Sequence, residues 1–169
     1  MKLIRYLMNK AMLPLYLLAA AVIAAVLALL SDEFISSFFP MLPIVLCLLI
    51  AIRAFDDIFD YEKDSTRKTQ YLSKKELIIL ACVMSAVYVV LNVVFFGFWG
   101  ACSLAAIAYI ILMEKLPVLK MLFMALLFLY YFRLNCERVG AMHIAVCVGC
   151  VAVSALFHFY KLHKRKVRK

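Results

Sequence analysis

Four stretches of this chain contain no Asp, Glu, Lys or Arg: residues 11–30, 34–52, 77–113 and 139–160. About 20 apolar residues in a helix cross the hydrocarbon core of a bilayer. A backbone inside that core must satisfy its own polar groups, which leaves helices or closed barrels. Uncharged runs of this length fit helices, and 68% of the 169 residues are hydrophobic. A soluble domain of that size would need far more polar surface to cover its core. The expected fold is therefore all-α: a polytopic membrane bundle over residues 1–160, followed by a basic tail over 161–169.

The run 77–113 is too long for one crossing. Its expected break is Phe95-Phe96-Gly97-Phe98-Trp99-Gly100, where glycines and interfacial aromatics suit a turn at the membrane surface. The stretch 117–135 contains Lys120 and Arg133, and Lys120 lies close enough to its end to snorkel to the headgroups. Six spans result, at about 11–30, 36–55, 75–95, 98–114, 117–135 and 139–160, with five as the alternative count. The first is read as a true span, because about 20 apolar residues exceed the h-region of a signal peptide. Ser73-Lys-Lys-Glu76 is a capping-box pattern that marks the start of the third.

Net charge is +9, which by itself would suit nucleic acid. Its placement argues for a membrane instead. With the N-terminus inside, 17 of the 19 Lys and Arg residues lie on the cytoplasmic side, and only Arg133 and Arg138 lie outside. That follows the positive-inside rule and puts both termini in the cytoplasm. The tail, Lys161 to Lys169, suits contact with anionic lipid. No nucleic-acid partner is expected.

The six cysteines lie in or beside apolar runs, and Cys147-Val-Gly-Cys150 sits mid-run with no paired motif, so all are read as packing residues. His143 and His158 are read as packing or interfacial residues. There is no phosphate loop, no nucleophile elbow and no zinc-binding H-E-x-x-H. Asn92 is the one strongly polar side chain deep in a long apolar run, which argues against a transporter lined by mid-span ionisable groups.

The acidic residues are concentrated. Five of the ten fall within nine positions (Asp56, Asp57, Asp60, Glu62 and Asp64), directly after the second span, and no aspartate follows. Asp57, Asp60 and Asp64 are spaced i, i+3, i+7, which places them on one face of a continuing helix. They repel one another, and a helix C-terminus disfavours anions. Arg53, four residues before Asp57, offsets part of this by ion pairing, with Lys63, Arg67 and Lys68 nearby. A hard divalent cation would offset more, and Mg²⁺ takes one or two carboxylates and completes its shell with water and phosphate. The plain alternative is a solvated, mixed-charge juxtamembrane turn.

Residues 56–64, Asp-Asp-Ile-Phe-Asp-Tyr-Glu-Lys-Asp, resemble the first aspartate-rich motif of the UbiA superfamily of intramembrane prenyltransferases, N/D-D-x-x-D-x-x-x-D. The resemblance covers roughly residues 40–130. It implies Mg²⁺ on Asp57, Asp60 and Asp64, and Asp56 in the place of the usual Asn. It further implies a prenyl diphosphate as ligand, with Arg67, Lys68 and Lys120 stabilising the departing diphosphate. The chain departs from that pattern in its length and in lacking a second aspartate-rich motif. Two expectations follow. One is a prenyltransferase acting on an unidentified acceptor, alone or with a second copy or membrane partner subunit supplying the missing half. The other is a non-catalytic membrane subunit or scaffold that binds a lipid or polyprenyl phosphate.

Overall fold

The computed structural model describes residues 2–10, 12–62, 71–112, 117–136, 139–149 and 151–152, and every regular element among them is helical. A short helix α1, Lys2–Arg5, runs into a π-turn at Tyr6–Lys10. Then come α2 (Leu13–Leu29), α3 (Phe34–Phe59), α4 (Lys74–Phe96), a 3₁₀ segment at Gly97–Cys102, α5 (Ser103–Leu112) and α6 (Pro117–Asn135). A further helix, α7, covers 141–149.

Two helical segments are long and apolar enough to cross a membrane, Phe34–Phe59 and Lys74–Tyr109; Lys2–Asn9 with Leu13–Leu29 adds a third if the bent pair counts as one span. The bend falls at Met12, a left-handed non-glycine residue (φ 48°), whose carbonyl accepts from the N–H groups of Leu15 and Tyr16. Pro14 suits this start, since an early helical position needs no N–H donor.

The segment Lys74–Tyr109 does not run straight. Gly97, at φ 58°, ends α4, and the 3₁₀ turn brings Gly100 back onto the backbone of Asn92 and Val93. Eight residues of straight helix would separate those positions by about 12 Å. The chain therefore folds back where the glycines and aromatics predict a turn; the stretch 98–114, expected as a separate span, carries the 3₁₀ segment and only the ten residues of α5.

Helix α2 packs on α3 through Ala20, Ala24 and Ala28, one face at i, i+4, i+8, all buried. Small residues there let two backbones approach closely, which is how helices associate without a hydrophobic driving force. Met41, Ile44, Val45 and Leu48 of α3 complete this layer, joined by Tyr88 of α4 and by Phe128, Tyr131 and Phe132 of α6. At the other end of α3, Ala54 packs with Tyr6, Leu72, Leu77, Leu80 and Ala81. Helix α4 starts as its sequence predicts. Ser73 Oγ accepts from the Glu76 N–H (3.3 Å), and Glu76 Oε2 accepts from the Ser73 N–H (2.7 Å), a complete capping box.

Asn92 finds one partner on its own helix and one on α6. Its Nδ2 donates to the Tyr88 carbonyl at 2.8 Å, and its Oδ1 lies 3.1 Å from the Tyr131 hydroxyl, which lies 2.9 Å from that of Tyr88. An amide oxygen only accepts and each phenol has one proton. One assignment satisfies all three groups: Tyr88 donates to Tyr131, and Tyr131 donates to Asn92. Interhelical hydrogen bonds in membranes contribute about 1 kcal/mol each. Tyr131→Phe is expected to lower stability by about that much, read as the midpoint of unfolding in mixed detergent micelles. An unchanged midpoint would show that the network adds nothing to stability.

The C-terminal end of α6 lies beside the end of α2. Cys136 Sγ donates to the Leu30 carbonyl at 3.1 Å, and His143 Nε2 is 2.9 Å from the same oxygen. The Gly140 N–H donates to His143 Nδ1 (2.9 Å), so Nε2 carries the ring proton and donates to Leu30. Both residues serve as packing and linking groups, as their apolar setting suggests. Asp57 and Lys120 consequently share the opposite end of the bundle, at the finish of α3 and near the start of α6.

Candidate functional site

Helix α3 ends in Arg53-Ala-Phe-Asp56-Asp57-Ile-Phe-Asp60. Asp60 forms its C-cap, its N–H donating to the Asp56 carbonyl at 3.0 Å. The helix then turns and residues 61–62 resume helical geometry. Because Ala54 faces the bundle, Asp57, one turn later, faces it too.

Asp57 is only 3% exposed. Arg53 Nη2 lies 3.0 Å from its Oδ1, the i, i+4 ion pair expected from the sequence. The Tyr6 hydroxyl donates to its Oδ2 at 2.8 Å, from 51 residues away. Burial, reinforced by the Asp57 carboxylate, holds the Tyr6 phenol well above its ordinary range, so it stays a donor. Tyr6 is itself 1% exposed and anchors the apolar cluster at this end. The N-terminal segment is thereby fastened to Asp57 at the end of α3. Sequence reasoning did not include Tyr6, because no local pattern links residues so far apart.

The other aspartates differ in setting. Asp56 is half-buried and Asp60 is exposed, and both make further interactions of their own. The expected face is thus split: Asp57 is turned inward and Asp60 toward solvent. Asp64, Arg67 and Lys68 lie outside the described residues. Lys120 is on α6 at the same end of the bundle, with its side chain outside the described part.

Carboxylate oxygens are hard donors of the kind Mg²⁺ accepts. Asp60 presents such a group to solvent, whereas both oxygens of buried Asp57 already meet Arg53 and Tyr6. Among the described residues, no three His, Cys, Asp or Glu side chains converge to hold a metal. Arg53 adds a second feature. Its Nε–H is buried without a hydrogen-bond partner among the described residues. An unmet buried donor costs about 1–3 kcal/mol, and an anionic oxygen near the guanidinium would remove that cost.

Lys2 and Leu3 of α1 and Leu72, Glu76, Ile79, Leu80, Val83 and Met84 before and along α4 line a groove of about 400 Å³ at this end of the molecule. A second opening, about 520 Å³, lies at the opposite end between Trp99, Cys102, Tyr130, Arg133 and Leu134. There the Tyr130 hydroxyl donates to the Trp99 carbonyl at 2.8 Å, tying the 3₁₀ turn to α6. Arg133 Nη1 donates to the Cys136 carbonyl at 3.3 Å, a cation satisfying the last turn of its own helix.

Compared with models of protein families, with curated proteins and with solved structures, the chain matches none.

Proposed function

We propose that this chain is a multi-pass membrane protein that binds a phosphorylated isoprenoid lipid at the cytoplasmic end of α3, with Mg²⁺ between the lipid phosphate and the aspartates. Six crossings with both termini inside accord with the 17-to-2 distribution of basic residues. The observation that carries the binding reading is the pairing of opposite needs at one helix end. The exposed Asp60 carboxylate stands one turn from the Arg53–Asp57 pair and suits a divalent cation, while Arg53 holds a buried N–H that lacks an acceptor among the described residues. A phosphate with its metal ion supplies both.

In this reading Asp60, with Asp56 and Asp64, would hold Mg²⁺ alongside Asp57, and Arg67, Lys68 and Lys120 would add positive charge around the phosphate. When bound, the ion neutralises phosphate charge. The residues of the chain orient it: Tyr6 and Arg53 fix the Asp57 carboxylate.

The second reading is transfer of the prenyl group, as in the UbiA-type enzymes that residues 56–64 resemble. It is favoured by the filling of all four carboxylate places, Asp56, Asp57, Asp60 and Asp64. A diphosphate leaving group is best neutralised from two sides. Catalysis would therefore need a second copy or a partner subunit, or the lysine-rich segment after Asp64 in place of a second motif.

Binding of a non-hydrolysable prenyl diphosphate analogue, with and without Mg²⁺, tests the shared claim. Asp60 is exposed, so Asp60→Ala is expected to leave the fold intact and to weaken Mg²⁺-dependent binding about tenfold or more, the scale of a lost metal-site interaction. Equal Mg²⁺-dependent affinity in wild type and Asp60→Ala, or no binding at all, would end this reading. Release of diphosphate in the presence of membranes from the source cell would then separate transfer from holding.

A further inference from the structure

We infer that the groove between α1 and α4 is a seat for one phospholipid with a phosphoethanolamine headgroup, distinct from the aspartate site. Its floor is apolar, made by Leu3, Leu72, Ile79, Leu80, Val83 and Met84, and among the described residues its charged lining is one cation, Lys2, and one anion, Glu76. Ile79 and Val83 are 63% and 49% exposed on a helix apolar enough to cross a membrane, so acyl chains border the groove. At about 400 Å³ it is large enough for part of a chain, at the lower end of ordinary ligand sites.

The charges select the headgroup. Lys2 and Glu76 line the same groove, and both are exposed at the end of α4 where the capping box marks its start. A solely anionic headgroup would match Lys2 and be repelled by Glu76. A phosphate followed by a primary ammonium matches both: phosphate to the Lys2 ammonium, ammonium to the Glu76 carboxylate. A quaternary ammonium has the charge but no N–H to donate, so it forfeits the charge-assisted hydrogen bond. The capping box occupies Glu76 Oε2, which leaves Oε1 outside the box.

The test uses the full chain in detergent, with native mass spectrometry of lipids added as equimolar phosphatidylethanolamine, phosphatidylcholine and phosphatidylglycerol of identical acyl chains. Wild type is expected to retain phosphatidylethanolamine about tenfold over phosphatidylcholine, the factor that corresponds to about 1.4 kcal/mol and one charge-assisted hydrogen bond. Glu76→Gln keeps a residue able to complete the capping box and should bring that ratio close to one. Val83→Trp should fill the groove and reduce retention of every lipid, with its fold checked by an unchanged unfolding midpoint. Equal retention of the three lipids by wild type, a preference for phosphatidylglycerol, or an undiminished ratio in Glu76→Gln would each overturn the assignment. None of these outcomes depends on Mg²⁺ or on Asp57 and Asp60, so the two sites stand or fall separately.

Discussion

Asp57→Ala is expected to destabilise the protein by about 3 kcal/mol, the low end of the range for breaking a buried ion pair. The low end applies because the Arg53 side chain is 29% exposed and its charge is partly screened, whereas the Asp57 side chain is 4% exposed. The substitution strands the guanidinium and leaves the buried Tyr6 hydroxyl without its acceptor. Tyr6→Phe removes one hydrogen bond but leaves the ion pair, so it should cost about 1 kcal/mol. The measurement is the unfolding midpoint in mixed micelles, repeated with saturating Mg²⁺ and a prenyl diphosphate analogue. A ligand that binds only the folded state raises stability by mass action. Wild type should gain in their presence, and Asp60→Ala should gain less while starting from the same baseline. An Asp57→Ala protein that unfolds together with wild type would show that the buried pair is not a support of the fold.

Gly100→Ala should be of similar severity, about 3 kcal/mol, at the upper end of the cost of overpacking. A Cβ at Gly100 would fall within 3.0 Å of the Asn92 carbonyl group and the Val93 nitrogen. These are backbone atoms in the body of α4, so no rotamer change relieves the overlap. The 3₁₀ turn must move away from α4, taking α5 with it and straining the bond between Tyr130 and the Trp99 carbonyl. Gly97 offers the contrast. Nothing lies within 4 Å of a Cβ there, and its difficulty is the backbone angle alone. Thermal unfolding of Gly100→Ala next to wild type decides the matter, and equal midpoints would refute the close approach. The reactivity of Cys102 toward a polar thiol reagent gives a local readout on the same turn, and should rise as the turn loosens.

What was legible beforehand follows from how local each cause is. Uncharged runs dictate helices because a bilayer leaves no alternative, so α2, α3 and α4 could be placed from composition alone. The reversal at Gly97–Cys102 and the Ser73–Glu76 box are written in adjacent residues, and both are present. The Arg53–Asp57 pair was legible as an i, i+4 spacing. Its burial was not, because that depends on Tyr6, which arrives from the other end of the first helical pair. Asn92 stood out as a polar residue in an apolar run, yet Tyr88 and Tyr131 could not be named without knowing how α4 and α6 align. The aspartates showed the same limit. Helical spacing put three of them on one face, but the C-cap at Asp60 ends that regularity and sends neighbouring carboxylates into different surroundings.

The bond between Tyr6 and Asp57 also bears on the order in which the molecule assembles. Its two partners and Arg53 all leave the ribosome before α4 does, so the N-terminal strap, α2 and α3 can close into a clasped unit early in synthesis. Helix α4 would then be added to a template on which Tyr6 already holds Asp57, and Leu77, Leu80 and Ala81 would complete its enclosure.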